Sequence, residues 1–298
     1  MQLFFQVILP IIAVFGTGYI LQRFRVLDVK SIAAVSIYIF LPALVFTTLY
    51  ESSYNQGFTT IIIFAFVLLA FIIMINRILK IILKWEQSVE SASILTSAFM
   101  NGGNYGVPVI LYSIGDEAMP YAVFFMVLQT LIMSFFGVYY ASRSTSGMKQ
   151  AFYTVLKMPA THATILAFIF QQIDWEIPES VYSPLSMLAD AAIPLMMVVL
   201  GMQLASIKSL SFNWPVLSSA VLIRMVISPL IAFGFISFVS VDPVIAAVIL
   251  IVSAMPSAAT TTMYAIEFDT EPDLVSSITL VTTIVSIVSV TILLNLIA

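Results

Sequence analysis

Residues 101–108 read Asn101-Gly102-Gly103-Asn104-Tyr105-Gly106-Val107-Pro108, in the middle of an apolar segment. Three glycines and a proline oppose an unbroken helix there. Gly costs about 1 kcal/mol relative to Ala in a helix interior and Pro about 3. The proline ring removes an amide donor and pushes the preceding residue out of helical geometry. Where the solvent is hydrocarbon, the freed backbone groups must turn to protein or to a water-filled cavity. A second break, Ser253-Ala254-Met255-Pro256-Ser257-Ala258-Ala259-Thr260, lies 148 residues further on, proline to proline. The two breaks are the candidate functional centre.

Composition says what solvent surrounds them. The 298-residue chain is 61% hydrophobic and only 9% charged, with a mean hydropathy of +1.10. A water-soluble domain carries roughly 25% charged residues, so this chain cannot coat itself in water and reads as an all-α, multi-pass membrane protein in a lipid bilayer. It has no cysteine, which excludes disulfides and thiolate metal sites. Met1-Gln2-Leu3-Phe4 lacks the basic start of a cleaved leader, so the first span is expected to be retained.

Apolar runs long enough to cross, given about 20 residues per span, fall near 3–21, 31–50, 58–83, 92–113, 119–141, 158–173, 181–204, 215–238, 244–265 and 274–297. Ten spans result. Lys and Arg collect after odd-numbered spans: Arg23, Arg25 and Lys30; Arg77, Lys80 and Lys84; Arg143, Lys149 and Lys157; and Lys208. Acids are assigned to the opposite face: Glu51; Asp116 and Glu117; Asp174, Glu176 and Glu179; Asp242; and the run Glu267, Asp269, Glu271, Asp273. Because basic loops mark the cytoplasmic side, the expected location is the cell membrane with both termini outside.

The two halves echo each other. Pro10, Pro42, Pro108 and Pro120 recur as Pro159, Pro194, Pro256 and Pro272, at offsets of 149, 152, 148 and 152 residues. Five spans per half is odd, so the halves must insert in opposite senses as an inverted repeat, an architecture of secondary transporters. The expected organisation is a first repeat at 1–142, a cytoplasmic connector at 143–157 and a second repeat at 158–298. Spans 4 and 9, each broken, would cross near the pseudo-two-fold axis.

Candidate binding residues are those at the breaks: Asn101, Asn104, Tyr105 and Pro108, with Pro256, Ser257, Thr260 and Thr261. Helix N-termini, carrying roughly half a positive charge, together with amides and hydroxyls suit a carboxylate. Unwound carbonyls would suit a cation instead, and the balance leans to an anion. Asp190 and Arg224 lie about ten residues into spans 7 and 8 and could meet near the midplane, as a structural pair or as a coupling or gating pair. The lone His162 reads as an interfacial residue, and the fifteen methionines as adaptable packing. Ser276, Thr279, Thr282, Thr283 and Ser286 recur at three and four residues along span 10, which suits helix packing. No enzyme motif, metal cluster, cofactor site or nucleic-acid signature is present in the sequence.

Ser97 through Val109, with Gly115 and Glu117 beyond, resembles the auxin efflux carrier family. So do Leu41-Pro42-Ala43-Leu44-Val45-Phe46, Leu200-Gly201-Met202-Gln203-Leu204-Ala205, Arg224 through Pro229 and Met255-Pro256. The short connector after span 5 is similar to bacterial-type members. The resemblance implies a fold like that of sodium/proton antiporters and bile-acid symporters. Spans 1, 2, 6 and 7 would form a scaffold, spans 3–5 and 8–10 a moving transport domain, and two copies a homodimer. It implies elevator-type transport of a small organic anion held at the crossing of spans 4 and 9, such as malate, malonate, lactate or an auxin-like indole acid. Proton or sodium coupling stays open, with a sodium-coupled symporter of the bile-acid type as one alternative and a membrane receptor on a transporter fold as another.

Overall fold

The computed structural model describes residues 3–53, 55–142, 157–173, 175–207 and 210–297. Helices make up nearly all of it: α1 Phe4–Arg25, α2 Val29–Tyr50 and α3 Gln56–Leu83, then α4 Gln87–Ala98 and α5 Val107–Ser113. These are followed by α6 Asp116–Ser142, α7 Pro159–Gln172, α8 Glu179–Ala205 and α9 Trp214–Phe238. The last three are α10 Pro243–Ser253, α11 Thr260–Glu267 and α12 Pro272–Ile297. Seven of these helices, α1, α2, α3, α6, α8, α9 and α12, are long and apolar enough to cross a membrane. The other three expected spans fall short for visible reasons. Two are interrupted at the predicted breaks, giving α4 with α5 and α10 with α11, and the third, α7, has 14 residues. Most of the expected connector, 143–156, lies outside the described residues.

Prolines leave a local signature. Wide π-turns at Phe4–Ile8, Ser36–Phe40, Gly102–Gly106 and Ile223–Ile227 each end two residues before Pro10, Pro42, Pro108 and Pro229. A proline ring clashes with the carbonyl four residues back and offers it no donor, so the turn ahead of it opens. Between α1 and α2 the chain turns on Val26 in the left-handed region, bracketed by two Gln22 side-chain bonds to the Leu27 backbone, both at 3.1 Å. Asp28 then caps α2 by accepting from the Lys30 amide at 3.1 Å, and the Ser31 hydroxyl holds its carboxyl below the usual range.

The long helices pack as α1 on α8 and α2 on α7 and α8. Helices α1 and α8 touch backbone to backbone. A Cβ on Gly18 would stand 2.1 Å from the Val198 carbonyl oxygen, and one on Gly201 would stand 1.9 Å from that of Phe15. Without a hydrophobic drive between helices in lipid, such close approach of small residues is what holds spans together.

The acidic run 267–273 lies on the opposite side from the one expected. Ser88, beside Lys84, donates to Glu271 at 3.0 Å. Thr270 donates to the Ala141 carbonyl at the end of α6 at 2.7 Å, and Ser211 donates to the Asp273 carbonyl at 3.4 Å. The run therefore shares a face with the basic turns of α3. The reason is parity: the connection after the ninth span is an odd one. Acids are not confined to one face, and insertion physics counts Lys and Arg rather than acids.

Candidate functional site

The site is built where the two breaks meet. Phe99 leaves α4 in an extended conformation (φ −112°, ψ 107°), and Met100 forms an antiparallel bridge with Ser257. The Asn101 amide donates to the Pro256 carbonyl at 2.8 Å, and the Ala258 amide donates to the Phe99 carbonyl at 2.9 Å. Each break thus satisfies the backbone groups that the other has freed. At membrane depth, unpaired groups of this kind would cost several kcal/mol each. The turn re-enters helix through the Gly106 amide donating to the Asn101 carbonyl at 3.0 Å. On the far side, α12 braces the crossing: Ser257 donates its amide to Thr282 at 3.2 Å, and the Thr279 hydroxyl donates to the Ser257 hydroxyl at 3.4 Å. Ser276, Thr279, Thr282, Thr283 and Ser286 of α12 are buried, in keeping with packing.

A cavity of about 300 Å³ opens on one flank of the crossing. Its walls include Ala33 and Ser36 near the start of α2, Met158 and Pro159 at the start of α7, and Glu267 at the end of α11, so it opens toward the basic face. Of the eight break residues expected to bind, Asn101, Asn104 and Thr260 line it. The remaining five do not. Pro108 and Pro256 shape the backbone. Ser257 and Thr261 are fully buried and bonded away from the cavity, Thr261 to the Ala258 carbonyl at 2.7 Å. Tyr105 is buried edge-on to Phe15, ring centroids 5.2 Å apart, with its hydroxyl toward Ser286 but not closing a hydrogen bond.

Nine of the lining residues carry polar side chains, and one of them, Glu267, is a carboxylate. Asn101 is buried and its amide nitrogen has no hydrogen-bond partner. A half-turn of the side chain exchanges oxygen and nitrogen, so it can present either to the cavity. The Thr260 hydroxyl donates to the Met133 sulfur at 3.4 Å. Gln129 donates to the Ala98 carbonyl at 3.2 Å, and the Gln203 side-chain oxygen is buried without a partner. Both glutamines line the cavity. Sequence reasoning passed over them, although a lone amide inside an apolar span is a signal in its own right. Six methionines (Met100, Met126, Met133, Met158, Met196 and Met263) are among the remaining wall residues. Among the described residues, no Lys or Arg lines the cavity.

Asp190 and Arg224 do not meet. Asp190 is exposed and lines a separate cavity of about 610 Å³ with Glu51, Asp116 and Tyr182. Tyr182 donates to Glu51 there. Arg224 is fully buried and donates to the Ser97 carbonyl at 2.8 Å, to the Ser253 carbonyl and to the Ser228 hydroxyl. Equal depth along two neighbouring spans did not fix which way each side chain points, and α8 and α9 turn these two to different partners. His162 is exposed, with its Nδ1 3.0 Å from the Met158 carbonyl, as an interfacial residue would be.

A family model described as membrane transport protein matches residues 3–294. An uncharacterized transporter of Methanothermobacter thermautotrophicus is 29% identical, the match covering 95% of each chain. Another from Methanocaldococcus jannaschii is 28% identical with the same coverage. Those relatives are named as transporters, not enzymes. Two broken helices crossing inside a bundle of apolar spans, matched from end to end by that model, make this chain a multi-pass member of the membrane transport protein family, the auxin efflux carrier family that its Asn-to-Pro stretch resembles.

Proposed function

We propose that this transporter carries a small organic anion, such as malate, malonate, lactate or an indole acid, bound at the crossing of the two broken helices. The observation that carries the proposal is the unpartnered side-chain nitrogen of Asn101, beside a cavity that Asn101, Asn104 and Thr260 line. A buried polar group without a partner is costly and is usually retained for a ligand or water to satisfy. The cavity also meets the turn ahead of α5 at Gly103 and Asn104 and the amino end of α11 at Ala259 and Thr260, where partial positive charge favours a carboxylate. The methionine wall would adapt to the apolar body of the cargo.

Ten crossings in two inverted repeats are part of the proposal. The exchange-symmetric pairing of α1 with α8 and α2 with α7 supports it, as does the backbone bridge between the breaks. In this arrangement spans 1, 2, 6 and 7 form the scaffold of an elevator, and spans 3–5 and 8–10 carry the site across, with two copies pairing through their scaffolds. The cavity opens toward the Lys and Arg face, so this conformation is assigned as inward-facing, with both termini outside. Asp190, in the opposite acidic vestibule with Glu51 and Asp116, becomes a gating carboxylate.

Flux in proteoliposomes tests the proposal. Labelled malate, lactate and indole-3-acetate are offered to wild type and to Asn104→Asp, which sets a negative charge against the anion. Uptake of at least one anion by wild type, reduced at least tenfold in the variant, is expected. Undiminished uptake by the variant would refute the site.

A further inference from the structure

The carboxyl ends of the two broken helices need a positive charge, and the fold already contains one. Helix α4 ends at Ala98 and α10 at Ser253. Each carboxyl end carries roughly half a negative charge, and the bridge between the breaks brings the two ends together. Arg224 lies between them. Its guanidinium donates to the carbonyls of Ser97 and Ser253, one from each helix, and to Ser228, which itself donates to the Ser253 carbonyl at 2.8 Å. The side chain is fully buried, and its Nε has no partner. Among the described residues no carboxylate lies within ion-pairing distance of it, and it does not line the cavity. A lone buried cation is costly unless its charge is met. Two half-charges at the helix ends meet it.

Among the described residues, the first half of the chain bonds no second cation to these two helix ends. Asn76, 148 residues earlier in α3, is also fully buried and donates to the Ser97 hydroxyl at 2.9 Å. One half thus presents a neutral amide to the crossing and the other a permanent charge.

We propose that Arg224 is the resident cation of the crossing, filling with its guanidinium the place between the helix carboxyl ends that a coupling sodium ion would otherwise take. The carrier therefore has no sodium requirement. Arg224 acts as a positioning residue that holds the two breaks together and touches no substrate. This deepens the proposed transport function and rests on reading the crossing as the transport site, but its test reads cation binding without any need for flux.

The purified full-length protein is unfolded thermally in matched millimolar sodium, choline and guanidinium chlorides. Wild type is expected to unfold at the same temperature in all three. Arg224→Ala is expected to unfold several degrees lower in choline and to recover part of the loss in sodium or guanidinium, the small cations entering the vacated place. Arg224→Lys keeps the charge and is expected to stay indifferent to sodium, well above the uncharged Arg224→Met. A sodium-specific rise in wild type or Arg224→Lys would overturn the proposal. So would an Arg224→Ala protein that responds to neither cation, or equal melting of the Lys and Met variants. If Arg224→Ala cannot be purified, the wild-type, Lys and Met comparison decides alone. Absence of anion flux with this pattern intact would remove the transport reading and leave Arg224 as the internal counter-charge.

Discussion

At the residue scale, the crossing depends on a few groups that do unequal work. The Ser257 amide is fully buried, and Thr282 is its acceptor at 3.2 Å. Thr282→Val should therefore strand a buried donor and cost about 1–3 kcal/mol, read as a lower unfolding temperature. Thr279→Val removes only a long hydroxyl contact of 3.4 Å and should cost clearly less. Equal losses would mean that volume, not hydrogen bonding, fixes α12 against the break. Asn101 and Asn104 were legible as binding candidates because amides are rare among apolar residues and sit beside Pro108. Ser257 and Thr261 were named on the same ground but point away from the cavity. A hydroxyl within one turn of a break has no fixed direction until the crossing partner is known. Gln129 and Gln203 reach the cavity from α6 and α8, and only tertiary packing reveals which wall a lone amide faces.

At the element scale, the breaks were legible in the sequence because their cause is local: proline and glycine chemistry acts within a turn. What the breaks do with their freed backbone groups depends on residues some 150 positions away. The bond from Asn101 to Pro256 was foreseen only as a crossing, not as a bridge. The contact of α1 with α8 was likewise hidden, since Gly18 and Gly201 look like ordinary small residues until their partners' carbonyls stand about 2 Å from where a Cβ would be. Gly201→Ala should therefore force α1 and α8 apart and cost about 1–3 kcal/mol or more, as overpacking does, measured by thermal unfolding in detergent. Gly16, with open space around its missing Cβ, is the control, and Gly16→Ala should be close to neutral. If both variants melt alike, the backbone contact is not what holds this pair of helices.

At the scale of the whole molecule, the charge pattern misled for the acids after α11, because Asp and Glu contribute little to topology and only Lys and Arg are counted. The absence of cysteine makes the topology directly measurable with single cysteines and a membrane-impermeant thiol reagent. Asp269→Cys should label from the same side as Lys84→Cys, and both from the side opposite Ser53→Cys and Asp242→Cys. Labelling of Asp269→Cys together with Ser53→Cys would reverse the placement of the acidic run. The central claim is that the bonded breaks hold an organic anion through the Asn101 side-chain amide, whose nitrogen has no partner. Its most direct measurement is thermal unfolding of wild type and Asn101→Leu with malate, lactate and indole-3-acetate. Without ligand, Asn101→Leu should be at least as stable as wild type, since it removes a buried amide that has no partner. With ligand, at least one anion should raise the melting temperature of wild type, by the equivalent of about 2.7 kcal/mol at 100 times its dissociation constant, and leave Asn101→Leu unmoved. An anion-dependent rise that persists in Asn101→Leu, or no rise for any anion in wild type, would contradict the account.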